Sequence, residues 1–368
     1  MNRRDFIKYG TFIAGVGGFC VFCNDGIVFS QDNITEESLL DKRPCKKPFE
    51  YCEIHKQGDV SPCCPDFLKY GTPAGNIKNQ SFDEIWNGKI FKDLRERVLN
   101  GDYSMCNKEI CCFYEPCSAA EIPSDYEKGP KKMTLSYDPE CNYRCITCRD
   151  NIKINTPEEM NLYENVFLSK VVEALKNADT IDMLGSGEPL FSRHSRHLLK
   201  ELVKKYPNIK LTLSTNGFFL DEKTLTELGI QNNISIVSVS VDAANRETYK
   251  KILRADAFDR IIKNLELMSE WRKQGKIEYL TIKFVVHLLN YKEMPDFVKL
   301  AQKLDAVAFF STYRPWPSSE YHKRYDEVAV FEPKNKHYKE LVEILHNPVF
   351  KDKEHCCLEP RLFDIANS

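Results

Sequence analysis

Short apolar or β-branched runs alternate with longer amphipathic ones from Met133 to Phe310. That alternation predicts strand-helix units wound around a parallel sheet. The runs fall at residues 133–137, 181–184, 211–214, 234–241, 279–286 and 306–310, which makes six strands. After the fourth, Phe258, Ile261, Ile262, Leu265, Met268 and Trp271 recur at helical spacing and mark one buried face, so they belong to core and not to chemistry. Upstream, between Pro44 and Pro123, periodicity fades, and only residues 82–99 read as an amphipathic helix, through Ile85, Trp86, Ile90, Leu94 and Val98. So thin a core needs metal or disulfide staples. The polar stretch 122–132 holds two prolines and a glycine and is the expected boundary. The chain thus divides into a leader at 1–30, a cysteine-rich unit at 44–122, a barrel at 131–315 and a charged, helical tail at 316–368.

Composition narrows the chemistry. The chain has 368 residues, 52 basic against 54 acidic, and a formal charge of −2, so no overall field marks a nucleic-acid binder. Fifteen cysteines exceed what packing asks for, and they are clustered. Eight lie between Cys45 and Cys117, three between Cys141 and Cys148, and two at Cys356-Cys357. Clustering in a chain of this length favours metal over a disulfide framework. The final pair reads as buried or incidental. The start, Asn2-Arg3-Arg4-Asp5-Phe6-Ile7-Lys8 followed by an uncharged glycine-rich stretch to Asn24, resembles a twin-arginine export signal. Its apolar run is too short and glycine-broken for a good membrane span, which needs about 20 apolar residues.

The loop after the first strand reads Cys141-Asn-Tyr-Arg-Cys145-Ile-Thr-Cys148. A closed zinc or iron-sulfur site takes four ligands, and this loop offers three. Three thiolates on a four-iron cluster leave one iron open. The polar residues of the other strands gather at their C-terminal ends, where barrel enzymes keep their sites. They are Gly185-Ser186-Gly187-Glu188-Pro189, then Thr215-Asn216-Gly217, then Ser240-Val241-Asp242, and Tyr249 to Arg254. The spacing C-x3-C-x2-C with these companions resembles the radical S-adenosylmethionine (SAM) superfamily, though Ser186 replaces a family glycine and Thr147 a frequent aromatic.

The resemblance implies an α/β fold built as a partial (β/α)6 TIM-like barrel, with a 4Fe-4S cluster on Cys141, Cys145 and Cys148 that binds SAM. Ser186, Gly187, Glu188 and Asn216 would then be cofactor-binding, with Glu188 pairing the SAM ammonium, Arg254 its carboxylate, and Ser240 or Asp242 the ribose hydroxyls. Gly187 would let backbone approach the ligand. One electron would cleave SAM to methionine and a 5′-deoxyadenosyl radical, which abstracts hydrogen from substrate. The electron would come from a low-potential donor such as flavodoxin or ferredoxin, in an anaerobic setting. His287, Asn290, Tyr313 and Arg314 follow the last two strands and would face substrate at the mouth.

The front unit resembles the SPASM auxiliary-cluster module in the order of Cys52, Gly58, Cys63-Cys64, Gly75-Asn76-Ile77, Trp86 and the cysteines from Cys106 to Cys117, although the module usually follows the barrel. Cys63, Cys106, Cys111 and Cys117, with Cys52 or Cys45 as a substitute, would hold one or two further 4Fe-4S clusters. A zinc knuckle from the same thiols is the alternative. The module implies a peptide or protein substrate; a cofactor or small-metabolite substrate and a non-catalytic iron-sulfur or zinc scaffold are the alternatives. SAM and strong reductants imply the cytoplasm, while the leader allows export or a membrane tether.

Overall fold

The computed structural model describes residues 43–64, 68, 73–106, 117–184 and 186–368. The leader, Gly185, Cys111 and Cys112 lie outside the described residues. One ten-stranded sheet organises the chain, in the order β10-β9-β8-β7-β6-β5-β4-β1-β2-β3. The six expected strands form its centre: β4 (Lys132–Leu135), β5 (Thr180–Met183), β6 (Lys210–Thr215), β7 (Ile234–Ser240), β8 (Tyr279–Val286) and β9 (Val307–Thr312). Each is parallel to the next.

Two further strands extend the parallel run beyond the expected six. From the front unit, β1 (Tyr51–His55) lies parallel to β4, with Tyr51 opposite Lys132. From the tail, β10 (Cys356–Leu358) lies parallel to β9, so Cys356-Cys357, expected to be buried or incidental, is buried in an edge strand. The strands β2 (Asp59–Ser61) and β3 (Gly75–Asn76) continue antiparallel from β1.

Alternation along the strands separates two faces. Met133, Ile181, Leu211, Leu213, Val237, Val239, Leu280, Ile282 and Phe284 belong to the main core, together with the helix Phe258–Lys273 through Ile261, Leu265 and Met268. The other face is mixed: Thr134, Asp182 and Thr212 stand at matched register positions on neighbouring strands, as do Ser214 with Ser238 and Ser240 with Lys283, while Ile236, Val307 and Phe309 make its apolar part. A register shift between Leu211 and Thr212 sets β7 in phase. Barrel interiors are ordinarily filled by bulky branched side chains; here polar and charged side chains take part of that wall.

The amphipathic stretch 82–99 forms two helices, Phe82–Trp86 and Lys89–Leu99. The break is at Gly88, where a β-carbon would stand 2.8 Å from the Glu84 carbonyl. Arg95 ties them to the preceding chain. Its Nε donates to the Pro48 carbonyl at 2.9 Å and its Nη1 to that of Trp86 at 3.0 Å, while the guanidinium lies 4.3 Å from the Trp86 ring. No helix among the described residues is long and apolar enough to cross a membrane.

Candidate functional site

The loop that follows β4 carries Cys141, Cys145 and Cys148 and is bonded to every neighbouring strand end. Glu188 N–H, after β5, donates to the Glu140 carbonyl at 2.8 Å. Asn216 Nδ2, after β6, donates to Asn142 Oδ1 at 2.9 Å. After β7 the helix Arg246–Leu253 receives the loop through Ile146 N–H on the Ile252 carbonyl at 3.0 Å and through the Tyr143 and Tyr249 hydroxyls at 3.2 Å. That helix starts on an Asn245 side-chain cap and ends at Arg254 in the left-handed conformation, φ 53°. Glu188, Asn216 and Arg254 are therefore brought to one side of the three-thiol loop, although they lie up to 113 residues from Cys141 in sequence.

Two acidic residues that the motif reading passed over hold the loop from below. The Asp138 carboxylate accepts from Ser192 Oγ, from Ser195 Oγ at 2.7 Å and from Asn155 Nδ2 at 2.9 Å. Glu140 accepts the Arg193 N–H at 3.1 Å and the Asn155 N–H at 3.3 Å. Arg149, one residue past the third cysteine, donates to the Pro139 carbonyl at 2.8 Å and to that of Ser186. Burial pulls its pKa down, but Cys148, Cys141 and Cys145 together carry it above the ordinary value. Adjacency to the motif was the one signal for Arg149 and Glu140, and Asp138 stands three residues before Cys141.

Several expected roles change in detail. Gly187 is required by the loop, where a ligand was expected to require it. A β-carbon there would stand 2.3 Å from the Glu140 carbonyl oxygen and 2.8 Å from that of Asp138. Ser186 Oγ donates to the Ser136 carbonyl at 2.6 Å, so it closes the β4 end. Glu188 is 2% exposed and braced. Its Oε1 accepts Thr215 Oγ1–H at 2.6 Å and Leu190 N–H at 3.1 Å, and its Oε2 accepts Asn216 N–H at 2.6 Å. Burial pushes its pKa up to about 7 against those bonds.

Asp242 is buried with φ 58°, accepts Val285 N–H at 2.7 Å, and has its pKa pushed up to about 6 by burial. Ser240 is half-buried opposite Lys283. Asn290 is a brace, with its Nδ2 on the Asp242 carbonyl at 2.8 Å. His287 is fully buried against the rings of Tyr313 and Tyr321.

The three thiols suit a cluster by donor chemistry. Burial raises Cys145 well above its ordinary value, with Cys148 and Cys141 adding to the rise, and pushes Cys141 up to about 11. The loop is thus a place where thiolates need a cation or cluster to form. Among the described residues no three His, Cys, Asp or Glu side chains converge as ligands of one ion would; cluster thiolates bind separate irons and stand apart.

In the front unit Cys106 and Cys45 pack against the same small core of Phe49, Leu94, Val98 and Tyr103. Cys117 joins them through its N–H on the Pro44 carbonyl at 2.9 Å. Cys63 is half-buried near Tyr51, whose hydroxyl pKa it helps to raise after burial and Glu53. Cys52 does not suit the ligand role expected of it. It is fully buried in the main apolar core, and burial pushes its thiol far up. The substitute Cys45 is the better placed of the two.

Comparison with known proteins agrees with this geometry. Residues 136–301 match the radical SAM superfamily, and residues 45–117 match an iron-sulfur cluster-binding domain of the SPASM type. The chain is 28% identical over 227 residues to GTP 3′,8-cyclase of Nautilia profundicola, covering 58% of this chain and 66% of the relative. It is 26% identical over 207 residues to the FeMo cofactor biosynthesis protein NifB of Methanocaldococcus jannaschii, covering 50% and 66%. The chain spans less than two thirds of the length of these relatives. A crystal structure of SuiB from Streptococcus suis bound to SAM superposes with TM-score 0.44 at 17% identity, covering 75% of this chain and 62% of that one. The two domain matches, cluster-binding segment first and barrel second, give the chain a radical SAM domain and, on its N-terminal side, an iron-sulfur cluster-binding SPASM domain.

Proposed function

We propose that Cys141, Cys145 and Cys148 hold the SAM-binding cluster, and that the enzyme abstracts hydrogen from a small polar molecule on a route of cofactor or metabolite biosynthesis. When bound, the cluster supplies the electron that splits SAM to methionine and the 5′-deoxyadenosyl radical. Arg254 faces the SAM carboxylate. Glu188, held by Thr215, Asn216 and Leu190, offers Oε2 to the ammonium, and a cation there favours the charged carboxylate that burial alone disfavours. Ser240 and Asp242 face the ribose hydroxyls. Residues 45–117 supply the auxiliary-cluster thiols, with Cys63, Cys106, Cys117 and Cys45 the described candidates beside Cys111. Cytoplasmic supply of SAM and reductant favours work in that compartment.

The observation that carries the substrate class is the polar part of the inner wall. Glu53 accepts from Ser136 Oγ at 2.6 Å, Lys132 pairs with Asp182 at 3.0 Å, and Lys283 Nζ donates to Ser214 Oγ at 2.9 Å. A wall of hydroxyls and paired charges suits a ligand rich in polar groups. The cofactor-biosynthesis names of the relatives point the same way. The SPASM match favours a second reading, a peptide or protein side chain.

Anaerobically reconstituted protein given SAM and dithionite should yield 5′-deoxyadenosine, and Cys145→Ala should yield none. Deuterium carried into 5′-deoxyadenosine from a deuterated extract should track the small-molecule fraction. Deuterium arriving only with the peptide fraction would give the second reading the substrate.

A further inference from the structure

After β9 the chain crosses the mouth of the half-barrel as a strap, residues 313–321. It is braced on itself: the Tyr313 and Ser319 hydroxyls lie 2.6 Å apart, Ser319 Oγ donates to the Trp316 carbonyl at 2.8 Å, and His322 Nδ1 stands 2.7 Å from the Pro315 carbonyl. Three contacts fasten it to three different parts of the rim. Ser318 Oγ donates to the carbonyl of Cys148, the third cysteine, at 2.7 Å. The rings of Tyr313 and Tyr321 pack on His287 at the end of β8, with centroids 5.5 and 4.9 Å away. Glu320 forms an ion pair with Arg254 through Nη2.

That pair puts a carboxylate on the guanidinium that the proposed reading gives to the SAM carboxylate, and the argument rests on that reading. Glu320 holds Nη2 of Arg254, and a second carboxylate on the same guanidinium would bring like charges together. The strap also spans from Cys148 to Arg254, the stretch of rim along which SAM would lie.

We propose that Glu320 is a built-in competitor for the SAM carboxylate: SAM takes Arg254 only by displacing it, and the strap then leaves the mouth. Glu320 thereby sets SAM affinity without touching SAM. Both members of the pair are partly exposed, at 27% and 37%, so the competition is modest. Removing the charge should tighten SAM binding by about two- to fivefold.

The test is equilibrium binding of SAM to the anaerobically reconstituted full chain. Glu320→Gln should lower the Kd by that factor, Arg254→Gln should raise it, and the gain from Glu320→Gln should vanish in the Arg254→Gln background. An unchanged or raised Kd in Glu320→Gln, with Arg254→Gln still weakened, overturns the competition and leaves the Arg254 reading standing. An Arg254→Gln protein that binds SAM normally overturns that reading and the competition with it. Trypsin gives a second readout at Lys323 and Arg324, just past the strap: SAM should speed cleavage there in the wild type, and protection by SAM would overturn the displacement.

Discussion

At Gly187 a single hydrogen atom in place of a methyl group lets two loops touch. Alanine there would push against the Glu140 and Asp138 carbonyls, which are backbone and cannot rotate away. Gly187→Ala should therefore cost about 1–3 kcal/mol, seen as a lower denaturation midpoint and as less iron retained per chain. His287 gives a prediction in pH. Its folded pKa is lowered to about 4 by burial, against an ordinary 6.5, so the unfolded chain takes up a proton there that the folded one refuses. Stability from this residue is complete above pH 6.5 and falls with pH until about 4, by roughly 3 kcal/mol in all. Urea midpoints between pH 7 and 4 should show that slope in the wild type and a flatter one in His287→Gln. The ring's Nδ1 accepts the Leu289 N–H at 3.3 Å, which places the proton on Nε2.

Among the elements, the broken helix of the front unit depends on Arg95, whose donors satisfy carbonyls at Pro48 and Trp86 while its plane stacks on an indole. Lysine has neither the fork nor the plane. Arg95→Lys should destabilise by about 1–3 kcal/mol in chemical denaturation, even though the charge is kept. The central strands were legible because short apolar or β-branched runs alternate with longer amphipathic ones, and the helix Phe258–Lys273 because its apolar face repeats at helical spacing. The strands β1, β2, β3 and β10 were not. They are two to five residues long, too short to show a period, and β1 and β10 are stabilised by partners far away, as when Tyr51 pairs with Lys132. Local pattern carries no trace of such pairing.

For the whole molecule, the main core runs without a break from Ile54 and Trp86 in the front unit through the barrel to Leu362 and Ile365 in the tail. Shared burial couples the parts. Chemical unfolding should accordingly follow one transition, with fluorescence from Trp86 and Trp271 moving together with the loss of helix signal. The thiol groups, by contrast, separate in space. Cys106→Ala or Cys117→Ala should lower iron per chain while SAM still binds, and Cys145→Ala should lose SAM binding while front-unit iron remains. Iron analysis paired with SAM binding checks both halves of that expectation.

The sequence by itself determined the α/β class, the three-thiol loop, and the order of glycine, acid and arginine along the strand ends, because these are properties of spacing within a few residues. Only the tertiary structure decided what each of those groups touches. It put Cys52 into apolar core and Cys45 on the same small core as Cys106, turned Gly187 and Glu188 into supports of the three-thiol loop, brought in Asp138 and Arg149, and laid Glu320 on Arg254. The reason is physical: side-chain chemistry and periodicity are written locally, whereas burial and partnership arise when segments distant along the chain pack against each other.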